Sequence, residues 1–462
     1  MITVFFRDED VSVPPTYEDG LLVDWFHGSE ASTLDTNVIR SMFLRVGRPT
    51  PAAYDWFVLS ALVYAADRCI QRSFSTDGWT RSIHLSFSVH DAGTWRACAG
   101  DIAGLLRFLT GDAWEISIRQ RHRRMQIPSG SNIKGVERVC LLSGGLDSAA
   151  FAIEDALHSP NQLFVGHAES AHAVMHQNDV VRAVGGLVSS GCGPLVQVRV
   201  RPAGPSDQQR RALPPGLETT TRSRSLLFLS LAALAASAFA DSTRIILPEN
   251  GFLQINSPLT TQRLGSCTTR TAHPFFLRCL QTVWLRTGIS HEIVTPYADL
   301  TKGEVLERCP DREILSSVWP KTMSCAHAAA GRYQGSTYGH CGYCYPCLVR
   351  RAALHRVGWD DGSDYRVDVT RDGDDLACLR HSTHGEALRA FLRALSDWSP
   401  GRGSSLRAVL RSGHVPGDRE TLLRLCAVYD RGMEEVRSFL AAKCSPAQLI
   451  YAGPAVHSRN VA

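Results

Sequence analysis

The chain has 462 residues, 44% of them hydrophobic and 20% charged, with a formal net charge of +4. That length excludes a single core and predicts two or three domains of ordinary globular composition. The near-neutral balance, with Arg as the main cation, does not call for nucleic acid as a partner. Met1-Ile-Thr-Val-Phe-Phe before Arg7 is too short an apolar segment for a signal peptide. Leu226 to Ala240 is uncharged but runs for only 15 residues, short of the roughly 20 that a bilayer span needs. A cytoplasmic location without membrane contact is therefore expected. In that compartment the 14 Cys point to thiols or a metal site and away from a disulfide framework.

Residues 1 to 132 are expected to form an N-terminal α+β domain of unknown role. Tyr54 to Ile70 and Trp95 to Leu109 carry apolar residues at helical spacing. Ser82 to Val89 alternates as a half-buried strand does, and Trp114 to Ile118 reads as another strand. No catalytic motif stands here. Arg119 to Arg124 (RQRHRR) is basic and reads as a solvated linker face or an anion contact.

Residues 133 to 365 carry the chemistry. The apolar run Val139 to Leu142 reads as a buried strand and ends abruptly in Ser143-Gly144-Gly145-Leu146-Asp147-Ser148, with a helical pattern from Ala149 to Leu157. Strand, glycine turn and helix together offer backbone N–H groups to an anion at a helix N-terminus. The glycines permit positive φ and close approach of a ligand. Ser143 and Ser148 add hydroxyl donors. Asp147 cannot face phosphate alone, so it is expected to act through Mg²⁺ or to orient the loop. A Walker loop is excluded, because the stretch is short and has no lysine.

Further strands are expected over Gln162 to Gly166, Leu195 to Val200, Thr243 to Leu247 and Glu292 to Thr295, with helices between them. That alternation predicts a parallel sheet with ligands beyond the carboxyl ends of its strands. Glu249-Asn250-Gly251 stands just past one such end. Arg201 to Thr221 holds four prolines and reads as a mobile loop, either a linker or a lid. Arg222 and Arg224 open the apolar helix against its dipole, as Lys302 does for a later one, so phosphate or carboxylate contacts are expected there.

Cys341-Gly-Tyr-Cys344-Tyr-Pro-Cys347 contains two C-x-x-C units sharing Cys344, and Cys325 supplies a fourth thiolate. Four thiolates suit tetrahedral Zn²⁺ in a closed structural site. An iron–sulfur cluster is also compatible, and His327 and His340 are substitute ligands. Residues 366 to 462 read as a C-terminal helical extension. Gly385 to Leu395 and Arg419 to Leu440 are amphipathic, Pro400 to Ser405 is a loop, and Leu449 to Ala462 is a frayed end.

The stretch Ser143 to Ser148 resembles the pyrophosphate loop (PP-loop) of the ATP pyrophosphatases, which cut ATP between the α and β phosphates. That loop, Arg224 to Ala233, Leu300-Thr-Lys302-Gly-Glu304 and the four cysteines stand in the order seen in one family. Over roughly residues 134 to 365 the chain resembles the 7-cyano-7-deazaguanine synthase (QueC) family. The resemblance implies an α/β fold with a parallel sheet of the adenine nucleotide alpha-hydrolase (PP-loop) type. It also implies ATP, Mg²⁺ and Zn²⁺ as cofactors. Leu142, Ser143, Gly144, Gly145, Leu146, Asp147 and Ser148 would hold the nucleotide. Asp147, Ser148, Arg224 and Lys302 would be catalytic, and Cys325, Cys341, Cys344 and Cys347 would hold the metal.

Two departures stand out. Val165-Gly-His-Ala-Glu169 replaces the family's Tyr-Gly-Gln-x-His, and Asn256 to Arg263 replaces its Tyr-Pro-Asp-Cys-Arg. With an added segment on each side, the chain looks more like the QueC-like proteins of bacterial anti-phage systems, most of all the QatC group of the Qat system. That likeness implies activation of a deazaguanine carboxylate as an adenylate and transfer to an amine. The acceptor would be the N-terminus of a partner protein from the same defence system. The alternatives are a free-nitrile synthase that uses ammonia, a non-catalytic nucleotide-binding subunit and a tRNA thiolase.

Overall fold

Two parallel sheets and a set of C-terminal helices organise the chain. The structure, a computed structural model, describes residues 1–6, 20–24, 34–122, 130, 133–158, 161–202, 217–218, 222–259, 270–329, 338–371, 383–400, 403–415 and 417–449. The first sheet uses β1 (Ile2–Phe6) and β2 (Leu21–Val23), with β3 (Leu34–Thr36) set apart. It continues through β4 (Ser82–Val89) and β5 (Ala113–Gln120), in the order β2-β1-β4-β5. Every pairing in it is parallel. Parallel neighbours need crossover connections, not tight hairpins.

The second sheet comprises β6 (Arg138–Leu141), β7 (Gln162–His167) and β8 (Leu195–Val198). After the short β9 (Val200–Pro202) come β10 (Arg244–Ile246) and β11 (Ile293–Val294). Its order is β11-β10-β6-β7-β8, again parallel throughout. β7 is buried along its whole length, as expected of a strand covered on both faces. The strand read as Leu195 to Val200 breaks at Arg199. Beyond that point β9 leaves the sheet and pairs antiparallel with β3, joining the N-terminal segment to the second sheet.

The helix Pro51–Cys69 starts at Thr50, whose hydroxyl accepts Ala53 N–H at 3.3 Å, with proline in the first turn. It packs on the helix Arg224–Ala236, which in turn lies on β6. That second helix is apolar nearly all round and almost wholly buried, so it is the centre of a core and not a membrane span. Among the described residues no helix is long and apolar enough to cross a membrane. One apolar cluster runs from Val4 through Trp56 and Leu231 to Trp284. Trp56 donates to Thr287 Oγ1 at 2.7 Å and packs edge-on to Trp284, so the N-terminal helix is tied to the far end of the helix Pro274–Arg286.

The C-terminal helices Glu386–Asp397, Ser404–Arg411 and Arg419–Lys443 build another core around Phe391, Met433 and Phe439, together with Leu348 of the helix Tyr345–Arg356. The Pro400 to Ser405 loop of the sequence reading is in part the start of the second of these helices. Of Leu449 to Ala462, read as a frayed end, Leu449 closes the short helix Pro446–Leu449 and residues 450–462 lie outside the described residues, as does most of the linker or lid between 201 and 221.

Candidate active site and metal centre

The strand order reverses direction at β6. Chain order runs outward through β7 and β8 on one side and through β10 and β11 on the other. In open parallel sheets this leaves a crevice at the carboxyl ends of the two strands flanking the reversal. The loop Ser143 to Ser148 leaves β6 there, and Glu249-Asn250 leaves β10 beside it.

Within the loop, Gly144 has φ +80°, and a β-carbon on it would lie 3.0 Å from the β-carbon of His176. Glycine is therefore required for both conformation and space. Ser143 Oγ accepts Gly145 N–H at 3.1 Å and lies 3.2 Å from Ser148 Oγ, which donates to the Gly145 carbonyl at 2.9 Å. The helix Leu146–His158 starts at once, and its first-turn N–H groups have no partner inside the helix. Leu142 and Leu146 bury their side chains in the core, and their N–H groups are already engaged within the chain. Leu142 N–H donates to the Val165 carbonyl at 2.9 Å, and Leu146 N–H donates to Ser324 Oγ at 3.4 Å.

Asp147 does not face open solvent. Its Oδ1 receives Lys302 Nζ at 2.5 Å, and its Oδ2 receives Asn250 Nδ2 at 2.6 Å and Asn250 N–H at 3.2 Å. Lys302 is the first residue of the helix Lys302–Arg308, so the structure brings the loop and the sequence-selected lysine together. Glu249 is a second acid at this place. Burial and the Asp147 charge raise its carboxyl to about 7, while Lys302 pulls it back. In the sequence Asn250 stands out by its position only. Its role as partner of Asp147 needed the strand order to be seen.

Arg224 is engaged elsewhere, at the end of β7. Its guanidinium meets Glu169 Oε2 at 2.8 Å, so the anion that answers its place against the helix dipole comes from the chain itself. In the sequence Glu169 stands out only as part of a departure from a motif. Arg222 turns toward the first sheet, where it lies 4.7 Å from the Trp79 ring centroid and donates to the Thr110 carbonyl at 3.1 Å. Residues 260–263 of the altered Asn256 to Arg263 stretch lie outside the described residues.

The four cysteines converge. Their Sγ atoms all lie within 4.8 Å of one another, with Cys325 to Cys344 at 4.0 Å and Cys341 to Cys347 at 3.8 Å. A tetrahedral zinc with Zn–S of about 2.3 Å has sulfur–sulfur edges of about 3.8 Å, so the donor set and spacing fit that ion. The N–H groups of His327 and Cys341 both point at Cys325 Sγ at 3.3 Å, which suits a thiolate. Of the substitute ligands, His340 is engaged, its Nε2 accepting Ser324 N–H at 3.2 Å, and the His327 ring lies 5.8 Å from that of Tyr343.

The cysteine cluster also adjoins the loop. Two residues before Cys325, Met323 N–H donates to the Gly144 carbonyl at 2.9 Å, and Ser324 takes the Leu146 N–H. Arg350, on the helix that carries Cys347, donates to Thr322 Oγ1 at 2.7 Å and to the Trp319 carbonyl at 3.0 Å. The sequence showed no sign of the Thr322 to Ser324 strut.

Compared with known proteins, the chain matches no family model and no solved structure. It is similar to a 7-cyano-7-deazaguanine synthase of Rhizobium etli (strain CIAT 652), at 25% identity over 246 residues. Those residues are 50% of this chain and 92% of that protein, a likeness that supports a relation to the synthases of that name.

Proposed function

We propose that the chain is an ATP-dependent enzyme that activates a carboxylate as an adenylate, with release of pyrophosphate. The observation that carries this reading is the buried Asp147–Lys302 pair, set behind a Ser-Gly-Gly-x-Asp-Ser loop at the crevice of a parallel sheet. In this reading residues 133 to 365 are the catalytic PP-loop unit, and 1 to 132 and 366 to 462 are additions to it.

The loop N–H groups and the Ser143 and Ser148 hydroxyls hold the β and γ phosphates. An oxygen of the acceptor carboxylate attacks the α phosphorus, and the bond from that phosphorus to the bridging oxygen breaks. Pyrophosphate leaves with its charge countered by Lys302, while Arg224 stays paired with Glu169 at the end of β7. With both of its oxygens taken by Lys302 and Asn250, Asp147 has no free position for a magnesium ion, and its part is to orient the loop and hold Lys302 in place. An amine then displaces AMP from the acyl group and gives its proton to solvent. Catalysis is thus positioning and electrostatics. A zinc ion in the cysteine site would have a structural part, because four thiolates leave no open position.

The substrate proposed is 7-carboxy-7-deazaguanine or a close relative, from the likeness to the synthase. For the amine we favour the N-terminus of a partner protein in an anti-phage system of QatC type, since half of this chain lies outside the aligned part. The second reading, a free nitrile made from ammonia, is favoured by the name of the similar protein. The test is mass spectrometry of a co-encoded partner protein expressed with and without this chain. A mass gain equal to a deazaguanine acyl group, lost with Asp147→Ala, supports ligation. Nitrile formed from free acid, ATP and ammonia, with no mass gain, supports the second reading. AMP formed at an unchanged rate by Asp147→Ala defeats both.

A further inference from the structure

Both partners of Asp147 stand on elements backed by the long C-terminal helix Arg419–Lys443. Behind Lys302, the Lys302–Arg308 helix is capped by Thr301, whose hydroxyl accepts Glu304 N–H at 3.2 Å while Glu304 accepts Thr301 N–H at 2.8 Å. The same hydroxyl donates to Glu435, and Gly303 N–H donates to the other Glu435 oxygen at 3.2 Å. A single buried carboxylate thus takes donors from the residues on either side of Lys302. Arg356 adds a third donor at 2.9 Å. Burial pushes the Glu435 carboxyl up, but three donors on two oxygens suit its ionised form.

Its charge lies at the N-terminal end of the helix, where the dipole favours an anion and disfavours the Lys302 cation. The approach depends on Gly303: a β-carbon there would lie 2.6 Å from Glu435 Oε1 and 2.6 Å from Arg356 Cδ. Arg431, one turn before Glu435, holds Glu304 at 2.7 Å and the Asp299 carbonyl at 2.6 Å. Behind Asn250 the same helix packs closely. A β-carbon on Gly432 would lie 2.2 Å from Phe252 Cδ2, and one on Gly251 would lie 3.0 Å from Val428 Cγ1.

We infer that Glu435 is a positioning residue for Lys302, and that the C-terminal helix is part of the nucleotide site through it. This rests on the proposed contact of Lys302 with pyrophosphate. Glu435 fixes the first turn of the helix, and that turn sets where Nζ meets Asp147 and the departing phosphates. Loss of Glu435 frees the turn without removing the lysine.

The test is a double-mutant cycle on the full chain, reading magnesium pyrophosphate affinity by titration calorimetry with melting curves on every variant. Lys302→Met is expected to weaken binding about tenfold or more, as for loss of a charge-assisted contact. Glu435→Ala is expected to weaken it by a similar factor, and Glu435→Gln by less, because its amide oxygen still accepts one donor. In the Lys302→Met background, Glu435→Ala should have no further effect on affinity. An equal loss in both backgrounds, or no loss with Lys302 present, overturns the inference even if the melting point falls. Unchanged binding by Lys302→Met overturns the proposed role of Lys302, and this inference with it. If Glu435→Ala does not fold, Glu435→Gln carries the cycle and its outcomes are read the same way.

Discussion

Lys302 Nζ meets Asp147 Oδ1 at 2.5 Å although the two residues are 155 positions apart, and both side chains are nearly shut off from solvent. The value of this pair to stability is set by its completeness, since the second Asp147 oxygen is also occupied by Asn250.

Breaking this pair should cost stability and turnover together. Asp147→Ala leaves a buried cation, and removing one partner of such a pair typically costs about 3–5 kcal/mol. The rate of AMP formation is expected to fall about 10²–10³-fold, as for loss of one preorganised charge-stabilising group. Thermal melting and chromatographic assay of AMP check the two effects separately.

Removal of metal should loosen the Ser143 to Ser148 loop as well as the cysteine site. Met323 and Ser324 tie the loop to the segment that ends in Cys325. Metal binding in small zinc modules is worth on the order of 10 kcal/mol, so chelation removes the main restraint on that segment. Hydrogen exchange should then rise in residues 143–148 together with 322–325. Exchange that rises only around the cysteines would show that the strut carries no load.

Gly144→Ala tests the loop directly. A left-handed residue with a β-carbon costs about 1–2 kcal/mol, and here the added carbon also presses on His176. The expected result is a folded protein with weaker magnesium pyrophosphate binding. Wild-type affinity would place the anion elsewhere.

Stability should fall between about pH 4 and about pH 7 on account of Asp155. Burial raises its carboxyl from 3.8 to about 7, with Arg138 at 2.7 Å opposing the shift and Glu154 adding to it. In that window the unfolded chain has lost the proton that the folded chain retains, so rising pH favours unfolding. The effect is on the order of 4 kcal/mol at most. Asp155→Asn should flatten the slope of melting temperature against pH over this range. An unchanged slope would assign the dependence to other groups.

Local chemistry made much of the site visible in the chain itself. An apolar strand that stops at Ser-Gly-Gly, cations placed against a helix dipole at Arg224 and Lys302, and four cysteines at metal-ligand spacing are each local statements. Residue types and short spacings are enough to make them. The four thiols do converge, and Lys302 does meet the loop.

What tertiary structure decided is who faces whom. Arg224 and Lys302 read alike in sequence, yet one meets Glu169 at the end of β7 and the other meets Asp147 in the crevice. The difference comes from which strand ends lie together, a consequence of sheet order that no local pattern encodes. The parallel wiring of the first sheet, the Thr322 to Ser324 strut and the grip of Glu435 on the Lys302 helix were hidden for the same reason. Burial and pairing are set by packing between segments distant in the chain, and a sequence read locally reports only what each segment offers.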